Sequence, residues 1–218
     1  MDTLIDIVNN SVYPAQGLVA LYGVFCVILV FRRIRQKQFS SGPSAEQFMD
    51  EVRGELQQEN FDGVTRLCDS PPYWSKAVPQ LIMVALANSD RDLAALRRIL
   101  AEKFERDVLA DLEYRMSWIN TVIKSEPMLG LLGTVLGMIA AFGKIAGAER
   151  TGVDPKDLAS DISFALWTTA IGLIIAVPLI LLMSMIQVRL SKMQDQVQQY
   201  LGEFLESFEA ARKKRRGR

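Results

Sequence analysis

Charged side chains are missing from three long stretches of this sequence, residues 7–31, 127–143 and 162–188. A helix that crosses a bilayer needs about 20 mostly apolar residues. The pattern therefore predicts membrane helices at 15–34, 127–147 and 160–188. The intervening segment reads differently. "SAEQFMDEVRGELQQEN" places Phe48, Val52 and Leu56 four residues apart, the spacing of one helix face. Ser44 followed by Gln47 has the form of a capping box for that helix. Pro71, Pro72 and Pro79 punctuate the middle, and "PQLIMVALANS" is apolar but too short to span. Ser89 with Asp92 opens another helix, whose Leu93, Leu96, Leu100, Phe104 and Val108 recur at three and four. Before the second membrane segment only Pro127 interrupts that pattern. After the third, Leu190, Met193, Val197, Leu201, Leu205 and Phe208 continue a helical stripe. No strand pattern of any length occurs.

Charge sets the expected orientation. Arg32, Arg33, Arg35 and Lys37 follow the first apolar run, Arg189 and Lys192 follow the third, and the chain finishes "RKKRRGR". Basic flanks stay on the cytoplasmic side, so the N-terminus is expected outside and the C-terminus inside. Asp2 and Asp6, with no preceding Lys or Arg, do not fit the basic start of a signal peptide. The predicted fold is an all-α integral membrane protein with three transmembrane helices and long cytoplasmic helical extensions. Its parts are an extracytoplasmic N-terminus (1–14), a first membrane helix (15–34) and a cytoplasmic helical domain (35–126). A second membrane helix (127–147), an extracytoplasmic loop (148–159), a third membrane helix (160–188) and a cytoplasmic C-terminal helix with a basic tail (189–218) complete it. The tail reads as an inside-facing charge cluster rather than a nucleic-acid arm.

Composition narrows the chemistry. The 218 residues carry 25 basic and 25 acidic side chains and no histidine. The commonest general base and the commonest metal ligand are thereby removed, and neither a cofactor nor a metal site is expected. Cys26 lies in the first membrane helix and Cys68 in the cytoplasmic stretch, so the pair is not expected to form a disulfide. "GMIAAFGK" is no P-loop: five residues separate its glycines, and Ile145 stands where Ser or Thr is required. An enzyme is not expected.

The apolar helices carry two features beyond hydrophobicity. Gly130, Gly133 and Gly137 step by three and four along one face, with a further pair at Gly143 and Gly147. In lipid, small residues of this kind let helices approach closely. Alongside them stand isolated hydroxyls: Thr134 in the second helix, and Ser163, Thr168 and Thr169 in the third, with Gly172 and Pro178 beyond. Such a hydroxyl either bonds the preceding turn's carbonyl or lines a polar path.

"PMLGLLGTVLGMI" followed by "ALWTTAIGLIIAVPL" closely resembles the paired motifs of the MotA/TolQ/ExbB proton-channel family. The match is closest over 127–188. Three helices, rather than the four of flagellar stator subunits, make it similar to the ExbB/TolQ branch. The resemblance implies a homopentamer in the bacterial inner membrane around the membrane helices of an ExbD- or TolR-like subunit. An aspartate of that subunit would carry the proton, and Thr134 and Thr169 would line its path. Gly130, Gly133, Gly137, Gly172 and Pro178 would serve helix packing. Proton flow would be coupled to work on a TonB- or TolA-like transducer or on the envelope. Many ExbB-like sequences have a glutamate five residues before the second threonine, where this chain has Phe164. Asp161 at the outer mouth and Glu126 at the inner mouth are secondary candidates, with Ser163 and Thr168; a hydrated helix-end charge is the simpler reading of each carboxylate. The rival reading is a passive membrane scaffold recruiting partners through its cytoplasmic helices. It accounts for the glycines and the helical extensions but not for the threonines.

Overall fold

The computed structural model describes residues 2–39, 41–147 and 155–216. Most of the expected extracytoplasmic loop (148–154) and the last two residues of the basic tail lie outside them. Among the described residues seven α-helices follow one another: α1 (Asp2–Lys37), α2 (Gly42–Gln57), α3 (Phe61–Cys68), α4 (Ala77–Ala87), α5 (Leu93–Phe104), α6 (Ala110–Gly147) and α7 (Pro155–Arg216). One widened π-turn, Glu105–Leu109, joins α5 to α6. No strand occurs among the described residues. As the hydropathy pattern predicts, three helical stretches among the described residues are long and apolar enough to cross a membrane, within Ser11–Gln57, Leu93–Ala146 and Pro155–Arg215.

Prolines do not end these helices. Pro14, Pro127 and Pro178 all lie inside helical segments. Proline removes one N–H and leaves the carbonyl four residues earlier without its helical partner, a defect that apolar membrane helices tolerate when neighbours compensate. Pro127 is thus no boundary, and α6 begins at Ala110. The 62-residue α7 is about 90 Å long, roughly three times the hydrocarbon thickness of a bilayer.

The chain divides into two units, Met1–Leu29 with Arg115–Met185, and Val30–Tyr114 with Ile186–Arg218. In the second, the amphipathic stripes meet. Phe48, Val52 and Leu56 of α2, Leu96 and Leu100 of α5, and the α7 stripe from Leu190 through Met193, Val197, Leu201 and Leu205 to Phe208 are all buried. Phe204 stacks on Phe208 with ring centroids 5.4 Å apart, and Phe61 meets Phe208 edge-on. The short apolar α4 packs its Val78, Leu81, Ile82 and Ala85 into the same core. Each such side chain contributes about 1.5–3 kcal/mol on leaving water, enough to order helices too short to be stable alone.

Two helix starts differ from the sequence reading. The cap of α2 is Ser41, whose hydroxyl accepts from the Ser44 N–H, so Ser44 lies inside the helix rather than before it. Similarly α5 is capped by Asp92, which accepts from the Ala95 N–H at 3.1 Å, and not by Ser89. Asp92→Ala should therefore cost about 1 kcal/mol, and Ser89→Ala far less. Hydrogen exchange in the first turn of α5 should rise only in the Asp92 variant.

Candidate functional site

The first unit is built on an unusually close approach of α6 to α7. A β-carbon on Gly130 would lie 2.8 Å from the Thr168 carbonyl oxygen and 2.8 Å from the Thr169 Cα. One on Gly137 would sit 2.5 Å from the Ala165 methyl, and one on Gly133 would overlap the Thr168 hydroxyl. Across the same seam a β-carbon on Gly172 would lie 2.6 Å from the Glu126 carbonyl oxygen. These four glycines therefore pack helices within one chain. Gly143 faces open space, and Pro178 lies on the exposed side of α7. Neither takes part in that seam, so the packing role expected of Pro178 is not found inside the chain.

Close approach puts backbone carbonyls of one helix within reach of hydroxyls on the other. Gly130 O accepts from the Thr168 Oγ1 and from the Thr169 Oγ1, both at 2.9 Å. The Thr168 hydroxyl also reaches Ala165 O at 2.7 Å and is completely buried. Thr134 lies one turn after Gly130 on α6, and its hydroxyl donates to Leu131 O at 2.7 Å. Thr134 and Thr169 are both partly exposed. A hydroxyl has one proton to give and two lone pairs to accept with. With their protons directed to carbonyls, these two threonines present acceptor lone pairs on a partly open surface. Thr168 carries more of the packing than its secondary place in the motif suggests, and Ser163 is exposed.

Phe164, where a glutamate occurs in many similar sequences, is half-buried in an aromatic pair. Its ring meets Tyr13 edge-on at 4.8 Å, and the Tyr13 hydroxyl donates to Phe164 O at 3.2 Å. Asp161 pairs with Lys144 at 2.5 Å, a surface ion pair between the ends of α6 and α7. Glu126 is not a hydrated helix-end charge: it lies in mid-helix, fully buried within the chain. Beside the same seam is Gln16 of α1, a residue the sequence motifs do not single out. It is also buried, and its Nε2 donates to Thr168 O at 2.9 Å. Its only signal in the sequence is that it is an amide in a charge-free run.

Among the described residues no group of three or more His, Cys, Asp or Glu is placed to hold a metal. Cys26 and Cys68 are both free and buried, and burial pushes the Cys68 thiol up to about 12. A thiol held protonated in this way is a poor nucleophile.

The outer surfaces of the apolar helices are themselves apolar. Leu18, Leu21 and Phe25 of α1, Leu131, Ile139 and Phe142 of α6, and Leu166, Ile174 and Leu181 of α7 are all exposed. Surface of that extent marks contact with lipid or with other membrane helices.

Residues 74–199 match the family model of the MotA/TolQ/ExbB proton channel family. That stretch is more than half of the chain and includes every threonine discussed above. Among curated relatives, the chain is 36% identical over 97 residues to a biopolymer transport protein ExbB of Aquifex aeolicus. It is 34% identical over 100 residues to a Tol-Pal system protein TolQ of Haemophilus influenzae. With a putative ExbB-like biopolymer transport protein of Helicobacter pylori the identity is 29% over 106 residues. These alignments take in 44%, 46% and 49% of this chain, and 64%, 41% and 69% of the respective relatives.

Proposed function

We propose that this chain, which belongs to the MotA/TolQ/ExbB proton channel family, forms the stationary wall of an ExbB/TolQ-like complex. In that reading, proton flow is coupled to work on a transducer or envelope partner. The observation that carries it is the pair of partly exposed hydroxyls flanking the glycine-packed seam: Thr169 of α7, bonded to Gly130 O, and Thr134 of α6, one turn after Gly130. Both direct their protons to backbone carbonyls, so each can accept a hydrogen bond from a protonated carboxyl passing by. A carboxyl in a bilayer is costly unless it is hydrated, paired or protonated. Neutral acceptors solvate its protonated form without the trapping that a fixed Lys or Arg would impose.

The same reading sets topology and partners. Arg32, Arg33, Arg35 and Lys37 at the end of α1 hold that end inside, with the N-terminus outside. The Val30–Tyr114 and Ile186–Arg218 unit is then cytoplasmic, and the host membrane is the bacterial inner membrane. The exposed apolar surfaces of α6 and α7 face neighbouring copies, as a pentamer, and the central helices of an ExbD- or TolR-like subunit. A membrane aspartate of that subunit carries the proton, and a TonB- or TolA-like protein receives the work. No nucleic acid and no enzymatic step is involved.

The test is proton flux in liposomes containing this chain together with a single-span subunit bearing a membrane aspartate. Flux is expected only with both subunits present, and should stop when that aspartate becomes asparagine. A passive scaffold would show the same assembly with no flux, and that result would refute the channel.

A further inference from the structure

Polar side chains are scarce inside the first unit, and two of them are incompletely satisfied. Gln16 is 1% exposed and Glu126 is 0% exposed. The Gln16 amide nitrogen has its partner in Thr168 O. Its Oε1 has none, and neither do Oε1 and Oε2 of Glu126. Both residues border Gly172, where a β-carbon would lie 2.6 Å from the Glu126 backbone carbonyl oxygen and 3.1 Å from Gln16 Nε2. Three buried acceptor oxygens, on two residues that border the same glycine, lack a donor.

Among the described residues, no charged side chain of α1 or α7 lies alongside them in the first unit. Residues 11–29 of α1 and 162–185 of α7 contain no charged side chain, and their titratable groups are Tyr13, Tyr22 and Cys26. Tyr13 is engaged with Phe164 and Tyr22 packs on Trp118. On α6 itself Lys124 is exposed, and the Ser125 hydroxyl donates to Val122 O. A bare carboxylate is strongly disfavoured in such surroundings. One proton changes the balance: the carboxyl gains an O–H donor, and the amide oxygen needs one. A hard cation would collect six or more oxygens, and this site offers three.

We propose that Glu126 and Gln16 form a proton-holding site in the wall, in which the neutral Glu126 carboxyl donates to the Gln16 amide oxygen. The site is fixed beside the pathway threonines: Gln16 Nε2 donates to Thr168 O, and the hydroxyls of Thr168 and Thr169 both donate to Gly130 O. Protonation of Glu126 stands on burial alone, whereas its part in conduction rests on the channel reading above.

Infrared spectroscopy of the full chain in lipid nanodiscs tests the site directly. A protonated-carboxyl stretch is expected at neutral pH, absent in Glu126→Gln, and shifted to higher frequency in Gln16→Leu, which keeps Glu126 but removes its acceptor. The Gln16→Leu shift stands as a test even where Glu126→Gln fails to fold. In the two-subunit liposomes Glu126→Gln should lower proton flux about a hundredfold, the scale of one lost proton-transfer group. Absence of the band in the wild-type protein, a band removed by sodium rather than by alkali, or wild-type flux in Glu126→Gln would each overturn the proposal. A normal band in a complex that conducts no protons would instead refute the channel reading and leave the site standing.

Discussion

Replacing Thr134 and Thr169 together by valine is expected to abolish proton conduction while leaving the chain folded and assembled. Valine keeps the shape and removes only the hydroxyl. The fold loses little, because Gly130 O retains the bond from Thr168 and Leu131 O belongs to a continuous helix. A migrating carboxyl loses more. Each missing acceptor leaves it unsatisfied at a cost of about 1–3 kcal/mol, so two substitutions together should slow transfer by at least about thirtyfold. Threonine to serine at either position preserves the hydroxyl and should retain partial activity. Flux measured with a pH-sensitive dye in two-subunit liposomes is the readout. A double valine variant that assembles and conducts at the wild-type rate would reduce these threonines to packing residues. Thr168→Val should behave in the opposite way. That hydroxyl is fully buried and serves Gly130 O and Ala165 O, so its loss should appear first as lowered stability.

The second large effect is steric. Gly172→Ala should destabilise the helix packing by about 1–3 kcal/mol, the usual cost of overpacking, and Gly172→Leu by more. The new β-carbon would lie 2.6 Å from the Glu126 carbonyl oxygen, and a backbone atom cannot rotate away as a side chain can. Gly130→Ala should act alike, since it meets Thr168 O and Thr169 Cα, both at 2.8 Å. The control is Gly143→Ala, which faces open space and should gain up to about 1 kcal/mol of helix propensity. Thermal unfolding in detergent separates the three. Unfolding of Gly172→Ala at the wild-type temperature would show that α6 and α7 are not held at this distance. Because Gly133 also faces Thr168 of its own chain, Gly133→Leu should first weaken the fold.

Periodicity and charge carried most of the architecture. The charge-free runs identify the three long apolar helices. The stripe from Leu190 to Phe208 is buried in the structure as its spacing predicts. There the signal is strong because one face of each helix meets water and must be polar. Helix starts were less legible: Ser41, Ser44, Ser89 and Asp92 are all competent caps by residue type, and local backbone geometry chose Ser41 and Asp92.

Inside the apolar helices the sequence is silent about rotation. A lipid-facing side chain and a core-facing one are equally apolar, so no alternation marks which face turns inward. The motif ranks Thr169 above Thr168 but does not say that Thr168 is the buried one and Thr169 the partly exposed one. Glycine spacing likewise declares a face for close packing without naming what packs there; α7 of the same chain does. Gln16 and Glu126 are far apart in sequence and lie on helices packed with α7. Only tertiary structure brings them to the border of one glycine and removes their water, and it is that desolvation which gives an ordinary amide and an ordinary carboxyl a chemical role.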